Sequence, residues 1–160
     1  MVQPVPHGYH TVTPYIVSPD EAARIAFIKQ AFGATEHHVM RLPDGTVMHA
    51  DLIIHDAHVM IGQAGAGQPP FPAMLYLYVP NADSVYQQAV AAGGTPLREP
   101  TTEFYGDRHG AVTDSAGNQW WIATHVEDVP DEELQQRAAM QQRREDSQER
   151  QNRADDPRST

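Results

Sequence analysis

In Val47-Met-His-Ala-Asp51 an imidazole and a carboxylate stand two positions apart, so on a strand they share one face. A carboxylate held there raises the basicity of its neighbour, which makes His49 a candidate general base and Asp51 its orienter. The same two residues also suit a hydrogen-bonded polar pair bridging a sheet. The chain has nine histidines, and the others support less chemistry. His37 and His38 are adjacent and point to opposite faces of a strand, so they do not jointly hold one ion. His55 and His58 flank a turn and are expected at the surface, His7 precedes the first strand, His109 falls in the loop Asp107-Arg108-His109, and His125 follows the last strand. Arg108 has two readings. It pairs with Asp107 to pin a turn bracketed by Gly106 and Gly110, or it overhangs a pocket mouth and receives an anionic ligand by a bidentate contact. There is no nucleophile elbow, no recognisable Ser-His-Asp arrangement and no cofactor fingerprint. The absence of cysteine removes thiol nucleophiles, disulfides and zinc-thiolate sites together.

The elements that must position these groups follow from periodicity. His10 to Val17 reads as a strand with Val12 and Ile16 on one face and Thr11, Thr13 and Tyr15 on the other; Pro14 assigns it to an edge. Ser18-Pro-Asp20 starts a helix along which Ala22, Ile25, Ala26, Ile28 and Phe32 recur, and Gly33 stops it. Strands are expected at 34–42 and 46–54 about the hairpin signal Pro43-Asp-Gly45, and again at 58–63. The Gly- and Pro-rich stretch 64–72 carries no apolar period and reads as a linker; no helix follows its glycines, so it is not a phosphate loop. The pattern then restarts with a strand at 74–79, Asn81 as helix cap, a helix through Val85, Ala89 and Val90, and a strand near 95–99. The repeat has a period of roughly 60 to 65 residues. After Glu127 the composition turns polar, with Leu134 and Met140 the only large apolar side chains. A solvated helix to about residue 146 is expected there, with disorder beyond it.

Composition bounds the partners. At 160 residues with 40% apolar content the chain suits a single domain with one core, and a formal charge of −10 repels a nucleic-acid backbone. No run approaches the roughly 18 apolar residues of a membrane span. Met1-Val-Gln-Pro-Val-Pro-His-Gly8 lacks the basic and apolar regions of a secretory signal, so a cytoplasmic protein is expected.

The most specific stretch runs from Tyr105 to His125: Tyr-Gly-Asp-Arg-His-Gly-Ala-Val-Thr-Asp-Ser-Ala-Gly-Asn-Gln-Trp-Trp-Ile-Ala-Thr-His. A short strand at 111–113, turn chemistry over 114–118 and a β-branched, aromatic strand at 119–124 make a closing hairpin. Together with His10-Thr-Val-Thr-Pro-Tyr15 and Val47-Met-His-Ala-Asp51, it resembles the vicinal oxygen chelate superfamily, the glyoxalase and bleomycin-resistance fold, and its PhnB-like branch above all. The resemblance implies an α+β fold in which two βαβββ modules, 9–63 and 73–128, form a curled mixed sheet with helices outside, joined by the 64–72 linker and followed by a polar tail over 129–160.

In that fold a divalent metal sits on four side chains, two from each module. The resemblance puts these positions at Thr13, at Ile61 (or Gln63 if the register slips by two), at Met74 and at Trp121. None of these offers the imidazole or carboxylate such ions need, so no metal and no cofactor are expected. What remains is an inward set of Thr13, Tyr15, His49, Asp51, Met74, Tyr76, Tyr78 and Trp121, with the aliphatic faces of Val12 and Ile16, and of Leu75, Leu77 and Val79, turned to the helices. Aromatics so placed are either simple core or the wall of a small-molecule site. The expected function is metal-free binding of a small molecule, an antibiotic or metabolite held in the manner of self-resistance, with Thr13, Tyr15, Met74, Tyr76, Tyr78, Trp121 and Arg108 as contacts. The alternative is a lyase, isomerase or ring-forming enzyme that uses His49 and Asp51, or a metal on other ligands. The resemblance also implies a homodimer with pockets shared between subunits, while the charge and the lack of a long apolar run leave neither nucleic acid nor membrane as an expected partner.

Overall fold

The computed structural model describes residues 2–154, with side chains through Gln151. Its first sheet has the strand order β1-β4-β3-β2, built from β1 (Tyr15–Ser18), β2 (Thr35–Arg41), β3 (Val47–Ile54) and β4 (Ala57–Gln63), with helix α1 (Glu21–Phe32) after β1. The second repeats this order as β5-β8-β7-β6, from β5 (Met74–Tyr78), β6 (Thr95–Thr102), β7 (Asp107–Thr113) and β8 (Gln119–His125), with helix α2 (Ala82–Ala91) after β5. In each sheet the first strand runs parallel to the fourth and the rest are antiparallel. This is the α+β architecture the sequence implied.

The repeat is visible residue by residue. Asp20 caps α1 by accepting from Ala23 N, and Asn81 caps α2 by accepting from Ser84 N. Each cap stands at the same distance from its strand tyrosine, Tyr15 or Tyr76. Tyr15 pairs with Met60 as Tyr76 pairs with Trp121, and His49 pairs with Gly62 as His109 pairs with Ala123. Tyr15 is therefore equivalent to Tyr76, and His49 to His109.

One core serves both modules. Ile25, Ile28 and Ala31 of α1 lie on Ala50, Leu52 and Ile61 of the first sheet, and Tyr86 and Ala89 of α2 join them with Val112 and Ile122 of the second. Phe27 and Phe32 reach across to Trp120 on β8, at ring centroid distances of 6.2 and 4.8 Å. That reach corrects the helix face read from the sequence: Ala22 and Ala26 are exposed, while Arg24 and Phe27 are buried, because α1 faces the second module as well as its own sheet.

Four further differences have physical causes. The first strand begins at Tyr15 rather than His10; Thr13 bonds back to His10 O in a turn, and Val12 is exposed. β7 starts at Asp107, so Asp107, Arg108 and His109 are strand residues, paired with His125, Thr124 and Ala123, and not a loop. β6 continues to Thr102 through Pro96 and Pro100, with register shifts where a proline cannot donate. The polar tail forms helix α3 (Asp131–Ala154) well beyond residue 146, and the expected disorder at 155–160 lies outside the described residues.

Candidate functional site

On strands β1 and β5 the even and odd positions part company. Ile16 and Ser18 go into the core, whereas Tyr15, Met74, Tyr76 and Tyr78 lie on the other face and remain open to solvent. Both strands are sheet edges, and between them runs a cleft of about 650 Å³. Its walls include Tyr15, Met74, Tyr76 and Tyr78, with aliphatic floor from Ile16, Val59, Leu75 and Leu77, and the β3–β4 turn residues His55 and Asp56 at one end. His55 holds φ at 54°, and among the described residues it is the one non-glycine in the left-handed region.

Behind the exposed tyrosines lies a buried polar layer. His109 on β7 is 4% exposed, and its Nδ1 is 2.8 Å from the Tyr76 hydroxyl and 3.3 Å from that of Tyr105. Burial, opposed by the nearby Glu103, lowers the basicity of this ring, so it is neutral at neutral pH. Its Nε2 approaches Glu103 Oε1 at 3.4 Å without a well-formed hydrogen bond. A hydrogen on Nε2 facing that carboxylate leaves Nδ1 as the acceptor for Tyr76. One turn of the pleat away, Tyr78 donates to Asp107 Oδ2 at 2.7 Å, and Asp107 Oδ1 takes His125 Nδ1 at 2.8 Å. His125 Nε2 reaches Asp128 at 3.0 Å, and these two carboxylates raise its basicity. Tyr76 and Tyr78 are both held firmly in the phenol form, Tyr76 by burial above all and Tyr78 by its bond to Asp107.

The first module is arranged differently. Asp51 is buried, and its carboxylate takes His58 Nδ1 at 2.9 Å and the hydroxyl of Tyr9. Tyr9 lies flat on His58 with centroids 3.9 Å apart, so the N-terminal segment folds back over this dyad. The imidazole expected beside Asp51 was His49; the structure gives it His58, which is buried rather than exposed, because β4 carries it onto the same face. His49 instead faces Tyr15, with centroids 5.8 Å apart.

The remaining expected contacts fall into place or outside it. Trp121 lies beside Tyr76 on β8, edge-on to His109 at 5.1 Å, with its indole nitrogen on Gln119. Neither Thr13 nor Trp121 is among the cleft walls. Arg108 projects towards α2 and grips Asp83 with Nε and Nη2, at 2.7 and 2.6 Å; it pairs neither with Asp107 nor across a pocket mouth. His109, Tyr105 and Asp107 are the residues sequence reasoning passed over, and the signal for His109 was its equivalence to His49 in the repeat.

A sequence pattern of the glyoxalase/bleomycin resistance protein/dioxygenase superfamily matches residues 9–122. The chain belongs to this superfamily. It is similar to uncharacterised proteins of Mycobacterium bovis and Mycobacterium tuberculosis, each 31% identical over 135 residues, covering 78% of this chain and 89% and 79% of theirs. Among solved structures it resembles TioX from Micromonospora sp. ML1, at 21% identity and a TM-score of 0.59 over 76% of this chain and all of that one. It also resembles a glyoxalase-related enzyme from Fulvimarina pelagi, at 20% identity and a TM-score of 0.58 over 72% of this chain and 87% of that one. These likenesses are of fold.

The superfamily fold implies a divalent metal, and the donor set here does not fit one. Ile61 lies in the helix-facing core and Gln63 shares its parity, so neither offers a donor to the open face. The residues of β4 that do face outward are His58, committed to Asp51, then Met60 and Gly62. The Tyr15 phenol occupies the space a side chain at Gly62 would fill. Thr13 stands in the turn before β1 with its hydroxyl on His10 O, and Met74 and Trp121 on the other sheet present only thioether and indole. Among the described residues no group of three or more His, Asp or Glu is placed to hold a metal ion.

Proposed function

We propose that this superfamily member is a metal-free binding protein of the PhnB-like branch, working in the cytoplasm, which holds a small, planar, largely apolar molecule in the β1–β5 cleft. The observation that carries the reading is the set of Tyr15, Met74, Tyr76 and Tyr78 standing open on one cleft of about 650 Å³, with two phenols fixed from behind by buried His109 and Asp107. A simple core buries such rings, whereas a ligand wall presents them pre-oriented. Sequestration, as in the bleomycin-resistance part of the superfamily, needs no more than this.

A thermal-shift screen of small molecules tests it, since a ligand bound by the native state alone raises Tm. A hit whose effect vanishes in folded Tyr76→Ala and Tyr78→Ala proteins supports the reading; hits indifferent to both refute it. Dialysis against Ni²⁺, Zn²⁺, Mn²⁺ and Fe²⁺ tests the metal-free part. Stoichiometric metal that disappears in His49→Ala overturns that part.

The reading includes a partner copy of the chain. β1 and β5 are sheet edges with exposed aromatic faces, β1 bridged on its outer side at Val17 by Phe71, and a second copy completes such edges. A second reading, acid/base catalysis, moves in this structure from His49 and Asp51 to Tyr76 and His109, because the phenol and a neutral imidazole are in contact beside the cleft. Turnover lost in His109→Gln with ligand binding retained supports it.

A further inference from the structure

The direction of the hydrogen bonds behind the cleft specifies what can bind in front of it. Tyr78 gives its proton to Asp107, at 2.7 Å, and with the His109 proton on Nε2, facing Glu103, the Tyr76 hydroxyl 2.8 Å from Nδ1 is the donor of that contact. Each phenol therefore turns only oxygen lone pairs outward. The charged side chain at the cleft end is a carboxylate, Asp56, and neither Lys nor Arg is among the wall residues. The faces of the aromatic rings carry the negative end of their quadrupole. The two phenols fixed from behind thus accept, while the Tyr15 hydroxyl and the His55 imidazole can donate or accept; the one formal charge on the wall is negative, and the net charge of −10 adds a long-range pull of the same sign. An anion or an acceptor-only ring would face unpaired lone pairs on desolvation, which is costly.

We infer that the ligand of this cleft is a planar cation, a protonated heteroaromatic or aryl amine that stacks on Tyr76 and Tyr78 and donates to their oxygens. This rests on the reading of the cleft as a small-molecule site.

Two probes with the same three-ring plane and opposite charge test it: 9-aminoacridine, protonated at neutral pH, and 9-anthracenecarboxylate. Each is titrated by its own fluorescence against the full chain and against three variants. Asp56→Asn removes the cleft charge in an exposed turn, and Asp44→Asn removes one charge from the distant exposed β2–β3 turn. Tyr76→Ala removes the stacking wall. The expected result is 9-aminoacridine bound at least about tenfold more tightly, a preference that shrinks with added salt. Asp56→Asn reduces that preference, Asp44→Asn leaves it, and Tyr76→Ala abolishes binding of the cation. The anion binding as tightly as the cation overturns the inference and leaves the cleft reading standing. Equal losses in the two Asp variants, or cation binding that survives Tyr76→Ala, overturn it too, by placing the cation outside the cleft. If neither probe binds the parent chain, the inference falls together with the reading beneath it.

Discussion

Arg24 of α1 and Asp114 of the β7–β8 turn form an ion pair at 2.6 Å with side chains 2% and 0% exposed, tying one module to the other. Asp114 also accepts from the Trp120 indole at 2.9 Å and from Asn118, so the pair anchors the closing hairpin beneath the shared core. Removing one partner strands a buried charge, so Arg24→Ala is expected to cost about 3–5 kcal/mol. Urea denaturation measures this. Because the modules share the core, unfolding of the parent chain is expected as one transition; two separate transitions, or a loss under about 1 kcal/mol, would show that the pair does not couple them.

How far this was readable from the sequence depended on range. The two β-α-β-β-β units, their caps and the hairpin at Pro43-Asp-Gly45 come from local chemistry, and the structure holds them within a few residues. Tyr15, Met74, Tyr76 and Tyr78 were legible as one set because strand alternation is local too. What escaped was pairing over long separations. Nothing near Asp51 announces that Tyr9 and His58 will take its carboxylate, and nothing near Arg108 announces Asp83. Thr13 was misplaced for a local reason: the β-rich spelling of His10-Thr-Val-Thr-Pro reads as strand, but β4 begins its parallel pairing at Tyr15.

Tyr15 rests on Gly62, whose missing side chain makes its seat. Gly62→Ala puts a methyl group into the phenol, and the ring, being half exposed, swings away more cheaply than the backbone moves. A loss of cleft affinity near fivefold, about 1 kcal/mol, is expected with little change in Tm. Calorimetric titration with a cleft ligand, beside a thermal melt, checks both; unchanged affinity would remove Tyr15 from the binding wall.

Two histidines are expected to respond to pH with opposite sign. His109 is lowered by burial from the ordinary value of 6.5, so the stability it contributes is present above that value. It is lost as pH falls from 6.5 through the folded value, where the unfolded chain binds the proton first. His125 is raised by Asp107 and Asp128, so its contribution is present below 6.5 and lost as pH rises through its folded value. Its half-exposed position keeps that contribution small. NMR titration of the ring signals, with His109→Gln and His125→Gln as assignments, reads the two directions; His109 titrating above His125 would contradict the buried layer.

Helix α3 is attached mainly through Arg137, whose guanidinium takes Glu127, Glu133 and the carbonyl of Phe104. All its salt-bridge partners are exposed, and Met140 points to solvent. Truncation after residue 130 is therefore expected to leave Tm essentially unchanged in thermal melts. A large fall would mean that α3 packs on a second copy of the chain, which ties this experiment to the next.

The last expectation concerns assembly. Met74 and Tyr78 on β5 are 62% and 63% exposed, Phe71, bridged to Val17 of β1, is 76% exposed, and among the described residues the outer edge of β5 has no partner strand. β1 is a second sheet edge, bridged only at Val17, with Tyr15 exposed upon it. A contiguous aromatic surface flanked by unpaired backbone is an aggregation hazard for a monomer. A twofold pairing of copies covers it on both chains at once, since each contributes the same patch. It would also set the Tyr15–His49 pair of one chain within reach of the equivalent Tyr76–His109 pair of its partner, so that a planar ligand is enclosed between them. An interface beyond the standard size of about 1,600 Å² is expected from such a surface. Sedimentation equilibrium at micromolar concentration gives the answer as a mass. Twice the chain mass of 17.7 kDa is expected, with Tyr78→Asp shifting it towards the monomer; a monomer at 17.7 kDa that still binds its ligand would rule out the shared pocket.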